Sequence, residues 1–192
     1  MEIPTDEEIR ALHERHAPSR EAFELVHTHC QIVCEVAERL LRGREGEVDV
    51  ALVRAGALLH DIGVYRLAVG ESYLRHGLLG HELLRGSGLP EPLQRFCSCH
   101  TGVGITREDI ERQGLPLPPG DYTPGSPEET LVMYADKFHS KTTPPVFVSA
   151  ATYRADLIRF GPAKAERFDE LIRDFGQPEL SDLAQHYGHA LT

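Results

Sequence analysis

Seven of the eleven histidines lie in the middle of the chain: His27, His29, His60, His76, His81, His100 and His139. Neutral imidazole is the commonest metal-binding side chain and titrates near neutral pH, so this concentration suggests metal ligation or proton transfer. His29 follows Leu25 by four residues and precedes Ile32, Val33 and Val36 by three, four and seven. That spacing puts it on the inward face of a helix, where a lone histidine is most often a hydrogen-bonded core residue. His27 points elsewhere and cannot share a metal with it from a regular helix. The pair His60-Asp61 ends the apolar stretch AGALLH. Adjacent side chains diverge within a helix, but at a helix end followed by Ile62-Gly63 the chain can bend and bring both to one point. An aspartate buried there needs a compensating cation, whereas an exposed one needs nothing. His13, His16, His186 and His189 lie near the ends of the chain and read as surface residues.

These residues need helices to position them, and the chain reads as helix after helix. Thr5-Asp6-Glu7-Glu8 is a capping box that opens a first helix. Ser19 caps a second, running to about Leu41 and ended by Gly43, with an apolar stripe through Val26, Ile32, Val33, Val36 and Leu40. A third runs from about Asp49 to His60. Further helices are predicted over about Gly77–Leu84 and from Pro90 to about His100, with a short one opening at Thr106. The stretch QGLPLPPGDYTPGSP reads as an ordered loop bordering the entrance to the site, because it links two of its candidate elements. Ser126-Pro127-Glu128-Glu129 is a strong start signal, and the helix it opens carries TLVMYADKFHSK. From about Val146 three more helices follow, one opened by Gly161-Pro162. No strand alternation is evident, so the predicted fold class is all-α.

Length and charge narrow the function. The 192 residues suit one domain. The formal net charge of −10 disfavours a broad nucleic-acid or anionic-membrane surface, although a bound metal can still create a local phosphate pocket. No apolar run reaches membrane-span length. The start MEIPTDEEIR lacks a signal-peptide core. Cys30, Cys34, Cys97 and Cys99 miss the C-x-x-C spacing of zinc knuckles and read as reduced, partly buried thiols. A bacterial or archaeal cytoplasm is the expected compartment.

The string ALLHDIG resembles the signature of the HD superfamily of metal-dependent phosphohydrolases. His29 in HTHCQIVCEVAERL resembles that family's first ligand histidine, and Asp136 in MYADKF its last ligand aspartate. The order His, His-Asp, Asp spans residues 29 to 136 and is the whole minimal motif. The resemblance implies an HD-domain helical bundle over residues 1–192, with a core at about 19–141, an N-terminal helix and a C-terminal helical extension. Small HD enzymes with dinuclear sites carry two further histidines before the final aspartate. His76 and His100 match those places. His81 competes with His76, but the family's residue stands at the start of its helix, as His76 does.

The resemblance thus implies the ligand set His29, His60, Asp61, His76, His100 and Asp136, with Asp61, His60 and His100 at the chemistry. Mixed nitrogen and oxygen ligation suits iron, manganese, cobalt, nickel or zinc better than magnesium or calcium. With two ions, Asp61 would bridge them beside a hydroxide, an arrangement for in-line attack on a phosphoester or anhydride. Arg66, Arg75 and Lys137 are candidate contacts to substrate phosphate, and His139 a candidate for orienting a ligand. After His100 comes TGVGIT, without the second histidine and G-Y-P of the cyclic-di-GMP phosphodiesterases of this superfamily. No basic extension suggests a dNTP triphosphohydrolase. The strings GVGIT and LPPGDYTPGSPEETL resemble a small archaeal group of HDIG-type proteins. The leading reading is a phosphohydrolase or phosphodiesterase acting on a small phosphorylated metabolite or nucleotide; a homo-oligomer is compatible with it. The rival readings are an HD-type di-iron oxygenase, which uses a similar ligand set, and a regulatory binding module with a silent site.

Overall fold

The computed structural model describes residues 2–192, and capping side chains set where its helices begin. In α1 (Asp6–His16) the Thr5 hydroxyl accepts from the Glu8 amide, and the Thr5 amide donates back to the Glu8 carboxylate at 2.8 Å. Ser19 caps α2 (Arg20–Leu40) and Asp49 caps α3 (Val50–Leu59). Next come α4 (His76–Gly86), α5 (Glu91–Cys99) and α6 (Arg107–Gln113). Ser126 caps α7 (Pro127–Ala135), with Pro127 in the first turn. The Glu129 carboxylate accepts from the Gly125 amide and pairs with Arg95 at 2.7 Å, instead of closing a box on Ser126. Beyond these lie α8 (Ala150–Leu157), α9 (Pro162–Phe175) and α10 (Ser181–Tyr187).

The bundle is all-α. α2 packs on α3 and α7, α3 on α5 and α7, and α4 on α5. Ile32, Leu59, Phe96, Leu131 and Tyr134 are fully buried in the shared core, each contributing roughly 1.5–3 kcal/mol. Phe168 and Leu171 of α9 join the same core. The Tyr134 hydroxyl donates to the Gly176 carbonyl, and the Tyr187 hydroxyl to Glu35, each at 2.6 Å, tying the C-terminal helices to α7 and α2. All four cysteines are buried and free.

Two local departures from the expected pattern matter for the site. The helix expected to run through TLVMYADKFHSK ends at Ala135. Asp136–Phe138 forms a 3-10 turn, and the chain then extends as β1 (His139–Ser140). β1 pairs antiparallel with β2 (Val146–Phe147), which pairs parallel with β3 (Ala190–Leu191). Two-residue strands are too short to show alternation in a sequence. Their pairing brings the C-terminal segment beside the residues that follow Asp136. The second departure is the loop over residues 114–126. Tyr122 bridges to Ile105, and the loop packs on a small cluster of Ile105, Ile110 and Leu117.

At the end of α3 the backbone of Asp61 leaves the helix, with φ −109° and ψ 6°. The next residues form a turn (Ile62–Arg66) that presses on α4. A Cβ at Gly63 would collide with the His76 carbonyl and the Gly80 amide, so only glycine allows this approach.

Candidate metal centre

Four helix ends and one helix interior deliver six side chains to one point. His29 comes from the middle of α2, His60 and Asp61 from the end of α3, His76 from the start of α4, His100 from the end of α5, and Asp136 from the end of α7. Asp61 divides them. Its Oδ2 lies 3.2 Å from His29 Nε2 and 3.7 Å from His60 Nε2. Its Oδ1 lies 3.3 Å from His76 Nε2 and 3.5 Å from His100 Nε2. Asp136 Oδ1 closes the first group, 3.0 Å from His29 Nε2 and 3.4 Å from His60 Nε2. The triads His29, His60, Asp61 and Asp61, His76, His100 each offer donor atoms within 4.8 Å of one another, as do His60, His100 and Asp136.

Backbone contacts decide which ring nitrogens carry lone pairs. His60 Nδ1 faces the Ala57 carbonyl at 2.7 Å, His100 Nδ1 the Phe96 carbonyl at 2.9 Å, and His76 Nδ1 the Tyr73 carbonyl. A carbonyl only accepts, so each Nδ1 donates and each Nε2 holds a lone pair. His76 Nε2 and His100 Nε2 then face each other at 2.9 Å, lone pair to lone pair. Asp61 Oδ1 beside them is buried without a hydrogen-bond partner. Acceptors converging on acceptors are repulsive unless a cation lies among them, so these residues fit divalent metal ions. Burial lowers the basicity of His76, to about 4, and of His100, which keeps both rings neutral and able to ligate at pH 7.

His29 is held differently. Its Nδ1 lies 2.9 Å from His139 Nδ1, and His139 Nε2 lies 3.0 Å from His189 Nδ1. With His29 Nε2 as a ligand, each ring donates to the next and the chain of donors ends at the half-buried His189. His189, expected at the surface, is therefore a third-layer support of the centre. His13, also expected at the surface, is fully buried and bonds the Leu58 carbonyl at 2.8 Å and Tyr65 at 2.9 Å. It braces the end of α3, just before His60.

A cavity of about 540 Å³ opens over the centre. Asp61, His76, His100 and Asp136 line it; His29 and His60 do not. Lys137 and Lys141 also line it. Lys137 donates to the His100 carbonyl at 2.8 Å and to Asp136 Oδ2 at 2.6 Å. Lys141 donates to Asp61 Oδ2. Burial alone would raise the Asp61 carboxyl, but the Lys141 ammonium beside it outweighs burial and holds it well below the usual range. Lys137 does not point away from Asp136 as a helical reading requires, because the 3-10 turn folds it back.

The two candidate arginines stand elsewhere. Arg66 and Arg75 do not line the cavity. Arg75 is engaged by Glu71, four residues earlier, at 2.6 Å, and Arg66 is exposed, with its charge near His16. Residues 113–127 do not line the cavity either, since their apolar side chains are spent on the Ile105 cluster. His81 stands outside the centre, against Ser98 at 3.2 Å. Sequence reasoning missed Lys141. It lies just past β1, where the sequence suggests a continuing helix.

Comparison with known proteins agrees with the geometry. An uncharacterized protein of Methanocaldococcus jannaschii is 43% identical over 111 residues, covering 56% of this chain and 62% of that protein. A tRNA (cytidine(56)-2'-O)-methyltransferase of Picrophilus torridus is 36% identical over 122 residues, covering 64% of this chain and 33% of the relative. The chain thus spans less than two thirds of each of these relatives. The HD domain of the phosphodiesterase PgpH of L. monocytogenes, solved with cyclic-di-AMP, superposes with a TM-score of 0.53 at 16% identity, covering 94% of this chain and 97% of that one; this likeness concerns the fold. Among the described residues no helix is long and apolar enough to cross a membrane. The profile of the HD domain family matches residues 26–141, which take in all six converging side chains, and the chain belongs to that family.

Proposed function

We propose that this chain is a metal-dependent phosphohydrolase, acting as a phosphodiesterase on a small phosphorylated metabolite or nucleotide. The observation that carries the reading is Asp61, which offers one carboxylate oxygen to each of two histidine pairs. Two divalent transition-metal ions held there would supply an activated hydroxide and neutralise charge on the phosphoryl oxygens. His60, His76 and His100 keep their rings oriented through backbone carbonyls. Lys137, fixed on Asp136 and the His100 carbonyl, adds a positive charge at the cavity wall. With metal on the carboxylates, the two lysines of the cavity would favour an anionic ligand over a neutral one.

The test combines metal content with turnover. Protein purified without chelators is expected to carry close to two transition-metal ions per chain. Reconstituted with manganese, it should hydrolyse a member of a panel of cyclic nucleotides, dinucleoside polyphosphates and aryl phosphodiesters. Asp61→Ala should lower turnover by at least roughly a hundredfold, the scale of losing one electrostatic contact in the transition state, with its helical circular dichroism unchanged. A folded Asp61→Ala protein with near-normal turnover, or wild-type protein that takes up no metal, contradicts the reading.

A further inference from the structure

The two lysines of the cavity differ in how they are held. Lys137 is buried, and its ammonium has a main-chain carbonyl as one of two partners, so it is fixed whatever happens to the carboxylates. Lys141 has Asp61 as its hydrogen-bond partner. Its backbone lies between β1 and the exposed Thr142–Pro144, while its ammonium reaches Asp61. The oxygen it occupies is Oδ2, the one that faces His29 and His60. A metal ion on Oδ2 and an ammonium on the same oxygen compete for the same lone pairs and repel each other. Metal on Oδ2 therefore weakens the hold of that oxygen on Lys141. A retreat from Asp61 leaves it among Ser140, Thr142 and Tyr73, which line the same cavity; the Tyr73 ring already lies 5.9 Å from the ammonium.

Resting on the metal-centre reading above, we propose that Lys141 is an exchangeable cation: it neutralises Asp61 in the metal-free protein and, once metal takes that carboxylate, binds a phosphate oxygen of the ligand in the cavity. The ligand class is an oxyanion with a phosphoryl oxygen left over after metal ligation. Released lysine is then a point charge on a flexible stem, suited to following such an oxygen. The exchange also explains how the protein keeps a buried aspartate charged before metal arrives.

The proposal predicts effects of opposite sign from one substitution. Lys141→Met removes the competitor, so Mn²⁺ should bind about tenfold more tightly than to wild type. The Mn²⁺-loaded variant should bind inorganic phosphate about tenfold more weakly, because a charge-assisted contact is gone. Lys141→Arg should restore phosphate binding in large part. Lys141→Gln, which keeps a donor to Asp61 without the charge, covers the case in which Lys141→Met fails to fold, and should show both changes in smaller measure. Calorimetric titration with Mn²⁺, then with phosphate, reads all of them. Wild-type protein that takes up Mn²⁺ normally, with Lys141→Met and Lys141→Gln unchanged in either titration, overturns the exchange and leaves the metal centre standing. Wild-type protein that takes up no Mn²⁺ overturns both.

Discussion

The two halves of the centre are built on different principles. His29 and His60 sit on α2 and α3, within the main core and away from the cavity. His29 is backed by side chains, His139 and then His189. His76 and His100 sit at the ends of α4 and α5, line the cavity, and are backed by backbone carbonyls one turn away. Asp61 joins the halves. On the proposed two-metal reading, the difference would separate retention from reaction, with the inner half holding an ion and the outer half presenting one to a ligand. It also makes the inner half depend on the C-terminal segment, far away in sequence, while the outer half is locally self-sufficient.

The largest expected effect comes from breaking the halves separately. His60→Ala should empty the centre, because its ring also belongs to the triad of His60, His100 and Asp136. His76→Ala should leave close to one ion per chain, with turnover lowered by at least roughly a hundredfold. Elemental analysis of both variants checks this. Equal metal loss from the two would contradict an inner and an outer half.

A smaller effect is expected behind His29. His139→Leu removes its ring partner and should weaken metal binding by roughly 10–100-fold, the usual cost of losing an outer hydrogen bond to a ligand. His139→Gln, which can still accept a hydrogen bond, should recover part of the loss, and His189→Leu should cost less than His139→Leu. Chelator competition measures all three. Unchanged affinity in His139→Leu would mean that His29 needs no support from the C-terminal segment.

How much of this was legible in the sequence varied with the kind of structure involved. The helices were readable, because caps such as Thr5 and Ser126 and the stripe on α2 are local signals. His29 showed as an inward position on that stripe. Asp136 had no such signal, and was identified by its resemblance to the family's ligand. His139 is a candidate for orienting a ligand from sequence, whereas Lys141 is obscured by reading a helix through residues that fold as a turn and a strand. That turn follows the close of α7 on the core, a tertiary effect that spacing does not report. His13 and His189 lie near the chain ends, where the sequence suggests exposure, but packing buries the first and half-buries the second. Arg75 was the reverse case: its partner Glu71 stands four residues earlier, and the pair was visible in the sequence.

The effect furthest from the centre concerns folding stability and His13, which braces α3. Burial lowers its basicity to about 4. Its folded value lies below the unfolded value near 6.5, so the unfolded chain binds the extra proton between those limits. Stability from this residue is complete above about pH 6.5 and is lost as pH falls toward 4, up to about 3 kcal/mol. Denaturant titrations of metal-free protein over that range should show the loss, and His13→Asn should flatten the slope. A slope unchanged in the variant would assign the pH dependence to the ligand histidines alone.

The central claim is that Asp61 bridges an inner and an outer ion. Anomalous diffraction from crystals loaded with Mn²⁺ tests it most directly. The account predicts two peaks roughly 3.5–4 Å apart, one beside Asp61 Oδ2, His29 and His60 and the other beside Asp61 Oδ1, His76 and His100. A single peak at saturating metal, or two peaks that do not share Asp61, would contradict it.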